Sequence, residues 1–138
     1  MTYKTVDNDI IVEDIKTGDR ETLASSSTVY EGPRTPRYSF SPKGIDFGNR
    51  AIERGAGAEL LVIDEIGQLE LRQEGLTRAL DLVRAERPCV LVIRRELLDA
   101  YLPLLPAEPL VFETTASNRD RLPEEIASAL LRGNNAQG

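Results

Sequence analysis

The strongest constraint on the fold is an apolar run that leads into two adjacent carboxylates, at residues 60–65. Leu-Leu-Val-Ile at residues 60–63 predicts a strand that is buried on both faces, as in a parallel sheet. Asp64 and Glu65 would then lie at its C-terminal end, where open α/β sheets bind ligands. In phosphate-handling proteins such a pair holds Mg²⁺ through the Asp, while the second acid orients or deprotonates the attacking water. The alternative is a buried strand that simply runs into a polar loop.

The first forty residues predict a β-hairpin followed by a loop. Residues 10–12 and 22–24 are rich in apolar and β-branched side chains, and Gly18 between them favours a turn. Residues 25–37 are rich in Ser, Pro, Gly and Arg, which indicates a mobile loop. Ser41, followed by a proline, then predicts the start of a helix with the hydroxyl as its N-cap.

From residue 60 onwards strands alternate with helices, which predicts parallel βαβ units. After the first strand the predicted elements are a helix at 72–85, a strand at Cys89–Ile93, a helix at 96–102, a strand at 110–112 and a helix at 122–132. Pro88 and Pro103 would end the first two of these helices. The helix predicted at 72–85 carries an apolar stripe at i, i+3, i+4 and i+7 spacing, formed by Leu76, Ala79, Leu80 and Val83.

These elements predict one α/β domain over residues 1–138, a length sufficient to bury a single core. Residues 1–40 would form the hairpin and mobile loop. Residues 41–132 would form an α/β core of three layers, with helices on both faces of a mostly parallel sheet. Residues 133–138 would be a frayed tail.

Composition narrows the possible functions. The net charge of −6 argues against a nucleic-acid interface, which needs a clustered basic face. No apolar run is long enough to span a membrane and no signal segment opens the sequence, so we expect a cytoplasmic protein. The sequence has no His, which excludes Ser-His, Cys-His and His-ligated zinc chemistry. Cys89 is the single cysteine and is expected to be a core thiol.

Several short motifs occur in an order typical of one protein family. Residues 63–71 read Ile-Asp-Glu-Ile-Gly-Gln-Leu-Glu-Leu, and further matching segments lie at residues 14–24, 38–40, 92–95 and 118–120. In these motifs the chain resembles the thermophile-type nucleoside-triphosphatases, a family of P-loop proteins, over about residues 9–130. The resemblance implies a P-loop-type α/β fold that hydrolyses ATP or GTP with Mg²⁺.

The resemblance also implies a role for each of five polar residues. Asp64 would hold Mg²⁺, Glu65 would activate water, and Arg94 at the end of the second strand would contact phosphate. Asn118 and Arg119 follow the predicted third strand, near the place where this fold class often binds the nucleotide base.

Some of these residues also fit a purely structural role. Arg94 and its neighbour Arg95 fit a solvated helix start that pairs with Glu96 or Asp99. Asn118 or Asp120 fits the N-cap of the last helix, a role that Asn and Asp commonly fill and the one that we favour here.

Two arginines of the predicted mobile loop, Arg34 and Arg37, also have two interpretations. They would close on phosphates as a basic lid, or they would simply be solvated. The second role is the more common one for arginines in such a loop.

The sequence departs from that family in the segment that grips phosphate. It contains no Gly-Lys dipeptide and hence no Gly-x-x-x-x-Gly-Lys-Ser/Thr loop, whose backbone N–H groups and Lys hold the β- and γ-phosphates. We therefore expect the family fold without its first βα unit, and a chain that is inactive alone.

That departure also has a consequence for the sheet. The absent strand would lie between the Cys89–Ile93 strand and the 110–112 strand, which leaves two apolar strands with unpaired edges. We expect a P-loop-bearing partner chain, a homodimer or re-pairing within the sheet to cover them. The alternative function is a non-catalytic interaction module derived from such an enzyme.

Overall fold

The computed structural model describes residues 1–58, 60–85, 89–106 and 109–137, including their side chains except at 65 and 132–137. Contacts divide the chain into two compact units, Met1–Pro106 and Ala107–Gly138. The first unit contains two β-sheets with helices packed against them, and the second contains one long helix. The α/β class expected from the sequence is therefore confirmed.

An antiparallel sheet of four strands forms the N-terminal part of the first unit. In spatial order its strands are β1 (Thr2–Lys4), β2 (Asp9–Glu13), β3 (Arg20–Ser25) and β4 (Ser39–Phe40). β2 and β3 pair across a turn in which Gly18 has φ +79°, a conformation that costs glycine little. β1 and β4, which the sequence did not predict, pair with the outer edges of β2 and β3. Strands this short carry too few residues for an alternating pattern.

The first helix, α1 (Pro42–Gly55), begins where the sequence predicts. The Ser41 hydroxyl accepts a hydrogen bond from Gly44 N at 3.2 Å. Gly44 and Gly48 lie on the buried face, and a Cβ at either position would overlap its neighbours. Those neighbours are the backbone of β3 for Gly44 and the Leu76 side chain for Gly48. The two glycines therefore allow α1 to pack closely on the four-stranded sheet and on the segment that follows β5.

A parallel pair of strands, β5 (Leu61–Ile66) and β6 (Cys89–Ile93), forms the second sheet. The parallel pairing agrees with the sequence, but burial on both faces does not. Ile63 is only 5% exposed, whereas Val62 and Val92 are 52% and 46% exposed. One face of the pair is therefore packed and the other is half exposed. The expected mostly parallel sheet was wrong, because the four-stranded sheet is antiparallel and among the described strands only β5 and β6 pair in parallel.

β5 continues through the two carboxylates, whereas the sequence predicted that the strand would end before them. Ile63 and Ile66 pair with residues of β6 that are only two apart, so the register shifts at Asp64 and Glu65. Because of this bulge-like step, Ile63 and Ile66 both reach the core although they are three residues apart. Bulges of this kind occur frequently next to active sites, because they change the direction of a side chain.

Two helices connect β5 to β6 where the sequence predicts one helix at 72–85. They are α2 (Gln68–Leu71) and α3 (Arg78–Arg84), separated by a turn in which Gln73 and Gly75 have φ +62° and +74°. Positive φ at both residues interrupts the helix. The predicted apolar stripe is nevertheless buried in full, at Leu76, Ala79, Leu80 and Val83.

After β6 the chain forms three consecutive helical turns: a 3₁₀ turn at Arg95–Leu97, α4 (Leu98–Tyr101) and a second 3₁₀ turn at Leu102–Leu104. The sequence predicted that Pro103 would stop the helix, but Pro103 lies within the last helical turn. Proline has no N–H with which to continue the α-helical hydrogen bonds, and the turn closes instead through a hydrogen bond from Leu105 N to the Leu102 carbonyl oxygen. Pro88, the other predicted helix breaker, lies outside the described residues.

The core of the first unit joins α1, β5, α3 and α4. It consists of Ile52, Ile63, Ile66, Leu76, Ala79, Leu80 and Tyr101. Tyr101 is the largest fully buried side chain among the described residues. Because Ile63 and Ile66 flank the two carboxylates, this core fixes the position of the backbone that carries them.

The second unit contains an extended segment and a helix. Residues 109–115 form no regular structure, so the strand expected at 110–112 was wrong. Leu110 and Val111 are 72% and 55% exposed, and no described strand pairs with them, although a strand needs a hydrogen-bonded neighbour.

Helix α5 (Leu122–Gln137) continues beyond the predicted end at 132 and into the predicted tail, whose last residue lies outside the described part. Its expected apolar face is buried or half-buried, at Leu122, Ile126, Ala129 and Leu130. Of the helices in the described ranges, none is both long and apolar enough to cross a membrane.

Candidate functional site

Asp64, the first carboxylate of the Asp-Glu pair, lies within β5. It is half-buried in the bulge-like step of β5. No hydrogen-bond or ion-pair partner for its side chain occurs among the described residues. Its oxygens are not among the buried side-chain atoms that lack a hydrogen-bond partner in the described structure, so water or a cation can reach them. Glu65 follows it in the strand, but its side chain lies outside the described part of the structure.

The residue that follows β5 is held by hydrogen bonds at both of its backbone groups. Gly67 N donates to Glu70 Oε2 at 3.0 Å, and the Tyr101 hydroxyl donates to the Gly67 carbonyl oxygen. The other oxygen of Glu70 accepts from Leu76 N at 3.1 Å. A Cβ at Gly75 would lie 2.9 Å from this carboxylate, so glycine is needed there for space as well as for its positive φ. We call Glu70 and Tyr101 the Gly67 clamp.

The Gly67 clamp is buried, and its tyrosine stays protonated near neutral pH. Glu70 is 7% exposed and Tyr101 is fully buried. Burial, together with the negative charge of Glu70, raises the pKa of Tyr101 above its usual value of 10.0. The hydroxyl therefore remains a donor, as the bond to the carbonyl oxygen requires. This clamp fixes the chain two residues after Glu65.

The sequence interpretation missed the clamp. Glu70 was recognised only as part of a matching motif, without a role. Tyr101 comes from a different helix, and no spacing rule links it to Gly67. One signal was available, because an acid between two leucines beside a Gly-Gln turn is unusual unless backbone N–H groups satisfy it.

A cleft of ≈ 640 Å³ lies between the four-stranded sheet and the C-terminal ends of β5 and β6. We call it the sheet–strand cleft. Ile66 and Gly67 line it from the end of β5, and Arg94 lines it from the end of β6. Arg94 is exposed and pairs with neither Glu96 nor Asp99 in the described structure, so the alternative role as part of a helix-start ion pair is not seen for Arg94. The position of Arg94 leaves its guanidinium available to a ligand.

Asn118 and Arg119 belong to the second unit. Asn118 Oδ1 accepts from Thr115 N and its Nδ2 donates to the Glu113 carbonyl oxygen, both at 2.7 Å. The amide thus stabilises the loop before α5. Because that helix begins later, neither Asn118 nor Asp120 is its N-cap, and the predicted cap was wrong. Arg119 is exposed.

The described residues fit a magnesium ion that arrives with a substrate better than a resident metal. No group of three or more Asp, Glu, Cys or His side chains in the described ranges is arranged to hold a metal. Among the described side chains Asp64 offers one carboxylate, and none of them pairs with it. Mg²⁺ is usually held by one or two carboxylates, water and substrate phosphates, so this donor set is compatible with it.

Comparison with known proteins places the chain in a family. A family model described as NTPase matches residues 9–127, which is most of the sequence. The chain belongs to the nucleoside-triphosphatase family. The resemblance noted in the motifs at residues 14–24 and 63–71 is thereby confirmed.

Two curated relatives illustrate the extent of the similarity. Nucleoside-triphosphatase THEP1 of Hyperthermus butylicus is 35% identical over 101 residues, which cover 72% of this chain and 54% of the relative. Nucleoside-triphosphatase THEP1 of Methanosarcina barkeri is 29% identical over 119 residues, which cover 85% of this chain and 67% of the relative. The chain therefore spans between about half and two thirds of the length of these family members.

A solved structure shares the fold. The crystal structure of THEP1 from the hyperthermophile Aquifex aeolicus superposes with a TM-score of 0.58 over 88% of this chain and 75% of that chain. The sequences are 24% identical. The likeness supports the α/β fold with its small parallel sheet.

Proposed function

We propose that the end of β5 is the metal- and water-binding part of a nucleoside-triphosphate phosphohydrolase site that acts on ATP or GTP. One observation carries this proposal: Asp64 is half-buried without a partner in the described structure, in a bulge-like step next to the Gly67 clamp. Membership of the nucleoside-triphosphatase family supports the choice of substrate class.

Each candidate residue has a role in this proposal. Hydrolysis forms a bond between a water oxygen and the γ-phosphorus and breaks the bond to the β–γ bridging oxygen. Asp64 would hold Mg²⁺, which when bound supplies charge neutralisation at the β- and γ-phosphates. Glu65 would orient the water and accept its proton. Arg94 would contact the phosphate. For Asn118 and Arg119, which belong to the second unit, contact with a nucleotide base stays a prediction from the sequence.

We also propose that hydrolysis needs a P-loop that these 138 residues do not contain, such as one on a partner chain. The sequence has no Gly-Lys dipeptide to form one. In the described structure β6 pairs only with β5, which leaves its second edge open for another strand. This chain corresponds, in our interpretation, to the family fold without its first βα unit, and it is not active alone.

The test is calorimetric titration of the purified chain with ATP and GTP, with Mg²⁺ and with EDTA. Asp64→Asn should abolish the Mg²⁺-dependent part of binding. Asp7→Asn is the matched control, since Asp7 is exposed in a turn and the change in charge is the same. Equal Mg²⁺ dependence in the two variants would reject the role of Asp64. Steady phosphate release by the chain alone, abolished by Glu65→Gln, would reject the requirement for a partner.

A second candidate function is a non-catalytic interaction module. The observation that favours it is the exposed apolar face of β5 and β6, where Val62 and Val92 are about half exposed. Such a module would bind a protein through this face or through the open edge of β6. Sedimentation of the purified chain, alone and as Val62→Lys, tests it. Self-association lost in the variant, without Mg²⁺-dependent nucleotide binding, would favour the module over the enzyme.

A further inference from the structure

The two carboxylates of β5 lie in a short backbone step that is anchored at both ends. Ile63 before the step and Ile66 after it are 5% and 1% exposed, and both belong to the core. Between them the pairing with β6 shifts its register, and such a shift disrupts the local ladder of hydrogen bonds. The orientation of Asp64 and Glu65 therefore depends on what holds the two ends of the step.

Part of the anchor after the step comes from a distant part of the sequence. β5 and β6 pair for the last time at Ile66 and Ile93, and each strand then leads into a separate helical segment. Tyr101, at the end of α4, donates a hydrogen bond to the carbonyl oxygen of Gly67, which directly follows β5. The two residues are 34 positions apart. This hydrogen bond thus joins the segments that follow the two parallel strands.

Tyr101 is a rigid support for this contact. It is fully buried and packs in the core together with Ile63 and Ile66, so its ring has no free space in which to turn. The Gly67 N–H is also occupied, since it donates to Glu70. With its N–H and its carbonyl oxygen both bonded, the Gly67 backbone cannot turn without breaking a hydrogen bond to a buried side chain.

We propose that Tyr101 is a positioning residue, which acts through the Gly67 carbonyl to hold Asp64 and Glu65 in the orientation that binds Mg²⁺. Groups that orient a metal-binding side chain control metal affinity without touching the metal. A functional side chain keeps its geometry only when the residues behind it are locked by packing and hydrogen bonds. Tyr101 lies outside all the motifs through which the sequence resembles its family. The inference rests on the proposed function for the role of Asp64.

The test is calorimetric titration of purified Tyr101→Phe with ATP, in Mg²⁺ and in EDTA. Phenylalanine keeps the ring in the core and removes only the hydroxyl. The gain in ATP affinity that Mg²⁺ provides should fall by about ten-fold, the lower end of the effect of removing a group that orients a metal ligand. Binding in EDTA should not change, because it does not use Asp64. A merely structural role would weaken binding equally in both conditions.

Ser41→Ala is the matched control. It also removes one buried hydroxyl that is bonded to one backbone group, since Ser41 is 6% exposed and accepts from Gly44 N at 3.2 Å. Ser41 caps α1 and has no hydrogen bond to β5 or to the segment after it in the described structure. Its replacement should leave the effect of Mg²⁺ unchanged, at a temperature where circular dichroism shows both variants folded. Equal losses of the Mg²⁺ effect in the two variants would overturn the proposal.

Amide hydrogen exchange measured by NMR tests the positioning without any nucleotide. Tyr101→Phe should speed exchange at residues 64–67 by about ten-fold relative to the rest of the first unit, as expected for one lost hydrogen bond, and Ser41→Ala should not. Exchange that rises uniformly, or not at all, would overturn the proposal.

A third variant, Asp64→Asn, separates this inference from the proposed function. If Asp64→Asn abolishes the Mg²⁺ effect and Tyr101→Phe leaves it intact, the role of Tyr101 is rejected and the proposed function stands. If the wild-type chain shows no Mg²⁺ effect, or Asp64→Asn leaves it intact, the proposed function is rejected, and the role of Tyr101 in metal binding with it. Loss in both variants but not in Ser41→Ala would support both proposals.

Discussion

Replacing Glu70 by glutamine should destabilise the first unit by about 3 kcal/mol. The Glu70 carboxylate accepts one hydrogen bond per oxygen, from Gly67 N at 3.0 Å and Leu76 N at 3.1 Å. Glutamine keeps a single oxygen, and its NH₂ group would face the second N–H, donor against donor. The loss is one charged hydrogen bond, worth about 1.5–3 kcal/mol, and one backbone N–H is left unsatisfied at a cost of about 1–3 kcal/mol.

The assay is urea denaturation followed by circular dichroism, together with thermal melting. A loss of about 3 kcal/mol should lower the melting temperature by roughly 10 °C in a chain of this size. Glu74→Gln is the control, because it makes the same chemical change in the same turn at a side chain that is 41% exposed and lies 3.7 Å from Arg72. Its effect should be below about 1 kcal/mol. If the two variants lose equal stability, the Gly67 clamp is not the source of the effect.

Three further measurements follow from local features. Burial by itself would raise the pKa of Asp14, but hydrogen bonds from the backbone of residue 16 and from Arg54, and the charge of Arg54, lower it below 3.8. The ionised Asp14 therefore stabilises the fold above the pKa of the unfolded state, and this contribution is lost as the pH falls through the pKa of the folded state. Asp14→Asn should make the urea midpoint fall less steeply at acid pH than it does in the wild type. An equally steep fall in the variant would contradict this. Ser41→Ala removes the acceptor for Gly44 N and should cost about 1 kcal/mol, which Ser41→Asn should largely restore; a midpoint equal to wild type would contradict this. Burial raises the pKa of the Cys89 thiol, so iodoacetamide should label it at higher pH than free cysteine; coincident profiles would argue against burial.

The local sequence pattern was sufficient to predict the elements that are marked by a capping residue or by a regular apolar pattern. The Ser-Pro start of α1 and the apolar stripe of α3 follow from capping and periodicity within a few residues. β6 was placed correctly because five consecutive residues are apolar or small. The strand expected at 110–112 failed for the opposite reason, since pairing depends on a neighbour that local sequence does not specify.

The candidate site was only partly predictable. The Asp-Glu pair after an aliphatic run identified Asp64 and Glu65, and the Arg at a strand end identified Arg94, whose position at the sheet–strand cleft the structure then showed. The sequence did not predict that the Asn118 side chain would form hydrogen bonds within its own loop, because its partners are backbone groups of residues 113 and 115. The roles of these residues in catalysis remain predictions.

The sequence by itself determined the family, the α/β class and the two carboxylates that follow an aliphatic run, because each of these depends on the order and periodicity of neighbouring residues. The tertiary structure alone decided the bulge-like step at Asp64, the Gly67 clamp and the set of residues that line the sheet–strand cleft. In the clamp, Glu70 and Tyr101 both bind the backbone of Gly67. In the sheet–strand cleft, Lys4, Arg37 and Arg94 line the same cavity. Such groups meet only when packing of the core brings separate elements together, and no spacing rule along the chain encodes that meeting.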